Sequence, residues 1–154
     1  MGINITNRIR VLGIIVLTPL LSDIVIFLLY TSLTPHWGAG FWERWLTANF
    51  KISFKTAQII VFWLRKNLHF WGYGFLGLLF WLYFFLWRFK KPLFWGIIAS
   101  AGVAVLDEYV QSRTSFRTGR PSDVFLDVCG VVLVCFPVYL YLKRSKGLIV
   151  DIGS

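Results

Sequence analysis

Polar and ionisable side chains occur at helical spacing at the ends of three apolar stretches of the sequence. They are Lys66, His69 and Tyr73 in the first stretch, Asp107, Glu108 and Gln111 in the second, and Asp123 and Asp127 in the third. Intervals of three and four residues place side chains on one face of a helix. Imidazole and carboxylate groups can transfer protons near neutral pH. These residue types therefore suit a site for hydrolysis or group transfer.

Each of these groups has more than one candidate role. His69 could be a nucleophile or a general base, because an imidazole titrates near neutral pH. Asp107 or Glu108 could orient it or protonate a leaving group. Asp123 and Asp127 could instead hold Mg²⁺ or Ca²⁺ together with Glu108, because carboxylates are the ligands of these cations. The candidate catalytic residues are His69, Asp107, Glu108 and Gln111, and the candidate metal ligands are Asp123 and Asp127.

A basic segment connects the second and third groups and suits the binding of a phosphate diester. The planar guanidinium of Arg120 can bind two phosphate oxygens. A helix that starts at Ser122 or Asp123 would add free backbone N–H groups and the positive end of its dipole. The candidate substrate-binding residues are Lys66, Tyr73, Arg117, Arg120 and Ser122.

The composition requires that these residues sit in a membrane protein. Of the 154 residues, 57% are hydrophobic and only 15% are charged, and the mean hydropathy is +0.68. A soluble domain is closer to half apolar and a quarter charged, so a soluble enzyme or a secreted disulfide scaffold is excluded. The net charge of +9 then indicates contact with lipid headgroups rather than with nucleic acid.

Four stretches are long and apolar enough to span a bilayer as helices, which needs about 20 residues. They run from about Val11 to Leu33, Leu68 to Trp87, Pro92 to Val110 and Val124 to Leu142. The segment 34–65 is too polar to span and is rich in aromatic residues, which predicts short interfacial helices. The sequence thus predicts a single all-α domain over 1–154, with four transmembrane helices and interfacial helices between the first and second.

The topology brings the polar groups together. With four spans, the end of the third helix and the starts of the second and fourth meet at one membrane face. Short segments at the opposite face carry eight basic residues, which favours a cell-membrane protein with both termini in the cytoplasm. The polar groups would then face the outer leaflet. Asp23, in the middle of the first span, is expected to face the interior of the bundle, because a carboxylate in lipid is costly.

The motifs resemble those of the VanZ-like family. The resemblance covers about residues 60–142 and rests on Lys66-Asn67-Leu68-His69, Asp107-Glu108-Tyr109-Val110-Gln111, Phe116-Arg117-Thr118-Gly119-Arg120, Ser122-Asp123 and Asp127-Val128-Cys129-Gly130. The namesake of that family is associated with resistance to the glycopeptide teicoplanin. The family is also similar to a wider set of helical-bundle proteins that includes phosphatidylserine synthases.

Two functions remain open on this resemblance. The first is an intramembrane enzyme that hydrolyses or exchanges the phosphate headgroup of a lipid or a lipid-linked cell-wall precursor. The second is a non-catalytic membrane protein that binds an envelope lipid precursor or a glycopeptide antibiotic. Membrane lipids or lipid-linked precursors are the expected partners in both cases, and a divalent cation such as Mg²⁺ or Ca²⁺ is a candidate cofactor.

Overall fold

The computed structural model of the chain describes residues 5–115, 117 and 119–152, without the side chains of residue 142 and residues 145–152. Helices make up most of this part, and no strand occurs in it, which confirms the predicted all-α fold class. In chain order the elements are α1 (Ile5–Leu33), a 3-10 turn (Pro35–Trp37), α2 (Ala39–Phe50), α3 (Phe54–Leu86), α4 (Pro92–Ser112) and α5 (Pro121–Ile152).

The four predicted spans are confirmed. Helices α1, α3 and α4 and the segment Pro121–Tyr141 of α5 are each long and apolar enough to cross a membrane. Proline stands at the first position of both α4 and α5, where its missing N–H breaks no helical hydrogen bond. The chain is therefore a multi-pass membrane protein.

The helix that contains the second span starts at Phe54, well before the predicted start of the span at Leu68. The hydroxyl of Ser53 accepts a hydrogen bond of 3.1 Å from the backbone N–H of Thr56, which caps the helix there. The polar residues 65–67 suggested a boundary, but polar side chains do not interrupt the backbone hydrogen bonds of a helix. At 33 residues α3 is about 50 Å long, which exceeds the roughly 30 Å of bilayer hydrocarbon.

Residues 34–65 consequently contain one separate α-helix rather than several. This helix, α2, ends at Phe50, and the next residue, Lys51, adopts the left-handed backbone conformation with φ of 53°. α2 packs against α3. That α2 lies in the membrane interface stays a prediction.

Helix α3 is the central element of the bundle, because it contacts α1, α2, α4 and α5. Glycines allow α3 and α5 to approach closely. A Cβ atom on Gly130 would stand 2.1 Å from the carbonyl oxygen of Phe70, and one on Gly74 would stand 2.6 Å from Val134. This close approach aligns the polar face of α3 with the first turns of α5.

Asp23 does not face the bundle interior, and that expectation was wrong. Its side chain is exposed on α1. The face of α1 that packs inward carries Leu17, Leu21 and Ser32, at intervals of four and eleven residues, and Asp23 lies outside that stripe. Ser100, a polar residue of α4 that an inward Asp23 could have contacted, donates its hydroxyl hydrogen to a backbone carbonyl of α3.

Candidate functional site

A cluster of buried polar side chains lies where α4 ends and α5 begins. Three carboxylates are almost completely buried there: Asp107 is 3% exposed, Glu108 is 6% exposed and Asp127 is 1% exposed. Gln111 is buried beside them. Buried carboxylates are uncommon unless they are paired or functional, so this end of the bundle is the candidate site.

Side chains of α3 meet those of α5 in register. The ammonium group of Lys66 forms a salt bridge with the carboxylate of Asp123. One helical turn further on, Nδ1 of His69 lies 3.4 Å from both carboxylate oxygens of Asp127. The His69 ring also stacks on the ring of Tyr73, with 5.9 Å between centroids. Lys66, His69 and Tyr73 therefore share one inward face of α3, as their spacing predicted.

The carboxylate of Asp107 is held by donors from three helices. Its Oδ1 accepts a hydrogen bond from the hydroxyl of Ser32 in α1. Its Oδ2 accepts one of 3.0 Å from the Tyr73 hydroxyl and one of 2.9 Å from Nε2 of Gln111. Because both oxygens are occupied, Asp107 ties α1, α3 and α4 together and has little capacity left for a ligand.

Glu108 differs from its neighbour in having a free oxygen. Its Oε2 accepts a hydrogen bond of 2.7 Å from the backbone N–H of Arg120. Its Oε1 is buried and has no hydrogen-bond partner among the described residues, and the same is true of Oδ1 of Asp127. One ligand atom from each of His69, Glu108 and Asp127 lies within 4.8 Å of the others. Those three side chains can jointly contact a metal ion or a reacting group.

The basic loop contributes two arginines in different ways. Arg117 is half-buried; its Nη2 donates to the carbonyl oxygen of Trp37 at 2.7 Å and its Nη1 donates to the Ser32 hydroxyl at 3.3 Å. Burial, together with the nearby Arg65 guanidinium, lowers the pKa of Arg117 from its usual value. Arg120 is exposed. Its guanidinium is therefore accessible at the rim of the site, while its backbone holds Glu108.

A comparison with protein-family models identifies the fold. The model of the family described as VanZ/LLP1 matches residues 9–142. The chain belongs to the VanZ/LLP1 family. The matched region includes all the candidate site residues and extends well beyond the segment 60–142 that carried the resemblance. No curated protein and no solved structure shows significant similarity to this family member.

The structure changes the set of residues that could bind a metal in this VanZ/LLP1 chain. Asp123 is engaged by Lys66, and it also accepts a hydrogen bond of 3.2 Å from the hydroxyl of Ser122. It is His69, rather than Asp123, that lies with Glu108 and Asp127. The topology predicted the convergence of the three helices, but not which member of each polar group would point inward.

The glycine of the loop motif has a clear packing role. A Cβ atom on Gly119 would stand 2.3 Å from the carbonyl oxygen of Glu108 and 2.9 Å from the backbone nitrogen of Ser112. The loop therefore lies directly on the last turn of α4, and this contact delivers the N–H of Arg120 to Glu108. Phe116 and Thr118 of the same motif lie outside the described residues.

Three residues near the VanZ/LLP1 site were not among the candidates predicted from the sequence. Ser32 and Trp37 lie at the end of α1 and just after it, and both bind Arg117. Arg65 precedes the predicted start of the second span. The topology could have indicated Ser32, because the first span ends at the membrane face where the other polar groups meet.

The bundle also has an apolar groove of about 880 Å³, which does not coincide with the polar cluster. The groove lies near the other ends of the helices, where Leu86 ends α3 and Pro92 starts α4, and its walls include Trp81, Phe85 and Tyr139. None of the predicted site residues lines it. The chemistry of the polar cluster, and not cavity size, therefore locates the candidate site.

Proposed function

We propose that this VanZ/LLP1 protein is an integral membrane enzyme that acts on the phosphate-containing headgroup of a lipid or a lipid-linked envelope precursor. The supporting observation is the convergence of His69, Glu108 and Asp127, with one buried oxygen on each carboxylate that has no hydrogen-bond partner in the part of the chain that the structure describes. A polar surface that is buried without partners is costly. Such a surface is more easily understood if a substrate or an ion occupies it during function.

The charges around the cluster suit a phosphate. Lys66, Arg117 and Arg120 lie at the same end of the bundle, and Arg65 is near Arg117. A guanidinium can bind two phosphate oxygens at once, and the Arg120 side chain is exposed and can reach such a group. The backbone N–H groups in the first turn of α5, which starts at Pro121, provide a further positive dipole end.

The reaction would be a displacement at phosphorus. The oxygen of water, or of an incoming alcohol, forms a bond to phosphorus while the bond from phosphorus to the leaving alcohol oxygen breaks. The attacking oxygen loses one proton, and the leaving oxygen gains one. His69, Glu108 and Asp127 activate the attacking oxygen, and the cationic rim stabilises the charge that develops on the phosphate. Water as the attacking group gives hydrolysis, and an alcohol gives headgroup exchange.

The charge count of the loops supports a site at the outer face of the cell membrane, with both termini in the cytoplasm. An enzyme at that face would meet envelope precursors after their transfer across the membrane. A change in teicoplanin susceptibility is then a reasonable cellular phenotype to measure, because the namesake of the family is associated with resistance to that glycopeptide.

Reconstitution distinguishes an enzyme from a non-catalytic lipid-binding protein. Purified protein is placed in vesicles made from the total polar lipids of the host, and phosphorus-31 NMR follows each headgroup over time. An enzyme converts one headgroup signal into another, and Glu108→Gln abolishes the conversion while the protein still co-purifies with the same lipid. A headgroup spectrum that never changes, with a lipid bound stoichiometrically, would instead indicate the binding protein.

A further inference from the structure

We propose that His69, Glu108 and Asp127 bind a divalent transition-metal ion, through one ring nitrogen and the two unpartnered carboxylate oxygens. The bound ion would activate the attacking oxygen of the reaction, and this catalytic role rests on the proposed function. Binding of the ion does not depend on that function. Mn²⁺ and Zn²⁺ are the ions that the donor set favours.

The geometry of the three donors is that of an open metal site. Two ligand atoms, each about 2.1 Å from one ion at a tetrahedral angle, stand about 3.4 Å apart. His69 Nδ1 and the oxygens of Asp127 are 3.4 Å apart, and one ligand atom from each of His69, Glu108 and Asp127 lies within 4.8 Å of the other two. The Glu108 oxygen has to move closer on binding to reach the separation of two ligands of one ion. Three protein ligands leave positions free for water or a phosphate oxygen, as in catalytic rather than structural sites.

The ligands are already oriented by a second layer of contacts. Oε2 of Glu108 is held by the backbone N–H of Arg120, which leaves Oε1 buried and without a hydrogen-bond partner among the described residues. The imidazole is held against the ring of Tyr73. Outer contacts of this kind fix ligand orientation in metal proteins and raise metal affinity. The cluster therefore has both the ligands and their supports.

The balance of charge is the second argument. Asp107, Glu108 and Asp127 are all buried, and in the described part of the chain no lysine or arginine side chain forms an ion pair with any of them. Removing carboxylates from water without compensating charge is strongly unfavourable. Asp107 is compensated by three hydrogen-bond donors. Among the described residues Glu108 and Asp127 have only two, a backbone N–H and the His69 ring, and a divalent cation between them would neutralise the pair.

The donor types select the kind of ion. Mg²⁺ and Ca²⁺ prefer an all-oxygen environment, which the expected set of Asp123, Asp127 and Glu108 would have supplied. In the structure an imidazole takes the place of the Asp123 carboxylate. Mixed nitrogen and oxygen donors suit Zn²⁺ and the other first-row divalent ions better than Mg²⁺ or Ca²⁺. We therefore expect Mn²⁺ and Zn²⁺ to bind more tightly than Mg²⁺ or Ca²⁺.

The test measures metal binding by the full-length protein in detergent, without any lipid substrate. Protein stripped with a chelator is titrated with Mn²⁺ and Zn²⁺, and pulsed EPR of bound Mn²⁺ detects coupling to a ligand nitrogen. We expect one ion per chain. Asp127→Asn and Glu108→Gln should each weaken binding by about tenfold or more, and His69→Gln should remove the imidazole coupling.

Two near-isosteric controls make the result specific. Asp123→Asn removes a carboxylate one helical turn from Asp127, and Asp23→Asn removes an exposed one in α1. Both should leave metal affinity unchanged. Failure to bind either ion saturably, or an equal loss in Asp123→Asn, would overturn the proposal, as would wild-type affinity in Asp127→Asn.

Failure of the metal proposal can be separated from failure of the proposed function. One bound ion with the expected variant effects, but no lipid conversion in vesicles, would support the metal site and contradict the enzyme. Lipid conversion at the full rate in chelator-stripped protein would support the enzyme and overturn the catalytic role of the ion, while the metal titration alone decides whether the site binds it. In that case protons, rather than a metal, would neutralise Glu108 and Asp127.

Discussion

Oε2 of Glu108 accepts a hydrogen bond of 2.7 Å from the backbone N–H of Arg120, twelve residues away in the chain. The contact is made by the main chain, so the loop positions a buried carboxylate without using the arginine side chain. Glu108 keeps one free oxygen in the cluster, and the Arg120 guanidinium stays accessible at the surface. The same contact thus connects the proposed reacting group to the proposed phosphate ligand.

The first prediction concerns the shape of the guanidinium. Arg120→Lys keeps the backbone hydrogen bond and the charge but loses the two-pronged contact with phosphate. Turnover should fall by about tenfold or more, because one charge-assisted hydrogen bond contributes roughly 1.5–3 kcal/mol. Arg113→Lys is the matched control, since Arg113 stacks on Tyr109 and donates to its hydroxyl at 3.1 Å, outside the cluster. Equal and near-normal headgroup turnover in both variants would remove Arg120 from the site.

The second prediction separates two adjacent acids. Asp107→Ala leaves the Ser32, Tyr73 and Gln111 donors without an acceptor, and each buried unpaired donor costs about 1–3 kcal/mol. It should therefore lower the unfolding temperature markedly. Glu108→Gln retains an oxygen that can accept from Arg120, so it should unfold near the wild-type temperature but lose turnover. Circular dichroism melts in detergent and headgroup turnover, measured on the same samples, check both statements. The reverse pattern would mean that Asp107 is the reacting acid.

The third prediction tests the close packing of α3 and α5. Gly130→Ala would place a methyl group 2.1 Å from the carbonyl oxygen of Phe70, so the helices must separate. We expect a loss of about 1–3 kcal/mol in stability and a loss of turnover, because His69 and Asp127 face each other across the same contact. Gly102→Ala is the control, since nothing lies within 4 Å of a Cβ atom there. Similar melting temperatures for the two variants would contradict the packing described here.

The fourth prediction concerns orientation in the membrane. Ser115 is exposed in the loop between α4 and α5. In a background without Cys129 and Cys135, Ser115→Cys should react with a membrane-impermeant maleimide added outside intact cells. Labelling only after permeabilisation would invert the topology and move the candidate site to the cytoplasmic face.

The fold was largely predictable because its signal is local. Apolar stretches of sufficient length define spans whatever their packing, and the alternation of spans brings the end of α4 and the start of α5 to one face. The start of α3 was misjudged because the polar residues 65–67 resemble a membrane boundary but sit inside a continuous helix. The boundary of a membrane span and the boundary of a helix are separate properties. The start of the helix is set by Ser53, which caps α3.

The details of the site depend on rotation and packing, which the sequence does not encode locally. The spacing showed that Lys66 and His69 share a face of α3. It did not show that Lys66 would form a salt bridge with Asp123, or that His69 would contact Asp127. Arg117 is the half-buried arginine of the loop and binds Ser32 and Trp37, whereas the Arg120 side chain is exposed. This difference depends on the packing of the loop against α4 at Gly119. Asp23 was misplaced because the inward stripe of α1 depends on the helices that surround it.

The central claim is that the cluster of His69, Glu108 and Asp127 converts a phosphate headgroup. The most direct measurement is quantitative mass spectrometry of envelope lipids from cells that carry the wild-type chain, Glu108→Gln, Asp23→Asn or no copy, with equal expression of the folded protein. We expect one phosphate-containing lipid to accumulate, and its product to fall, in the Glu108→Gln and no-copy cells alone. Identical lipid profiles in all four strains would contradict it.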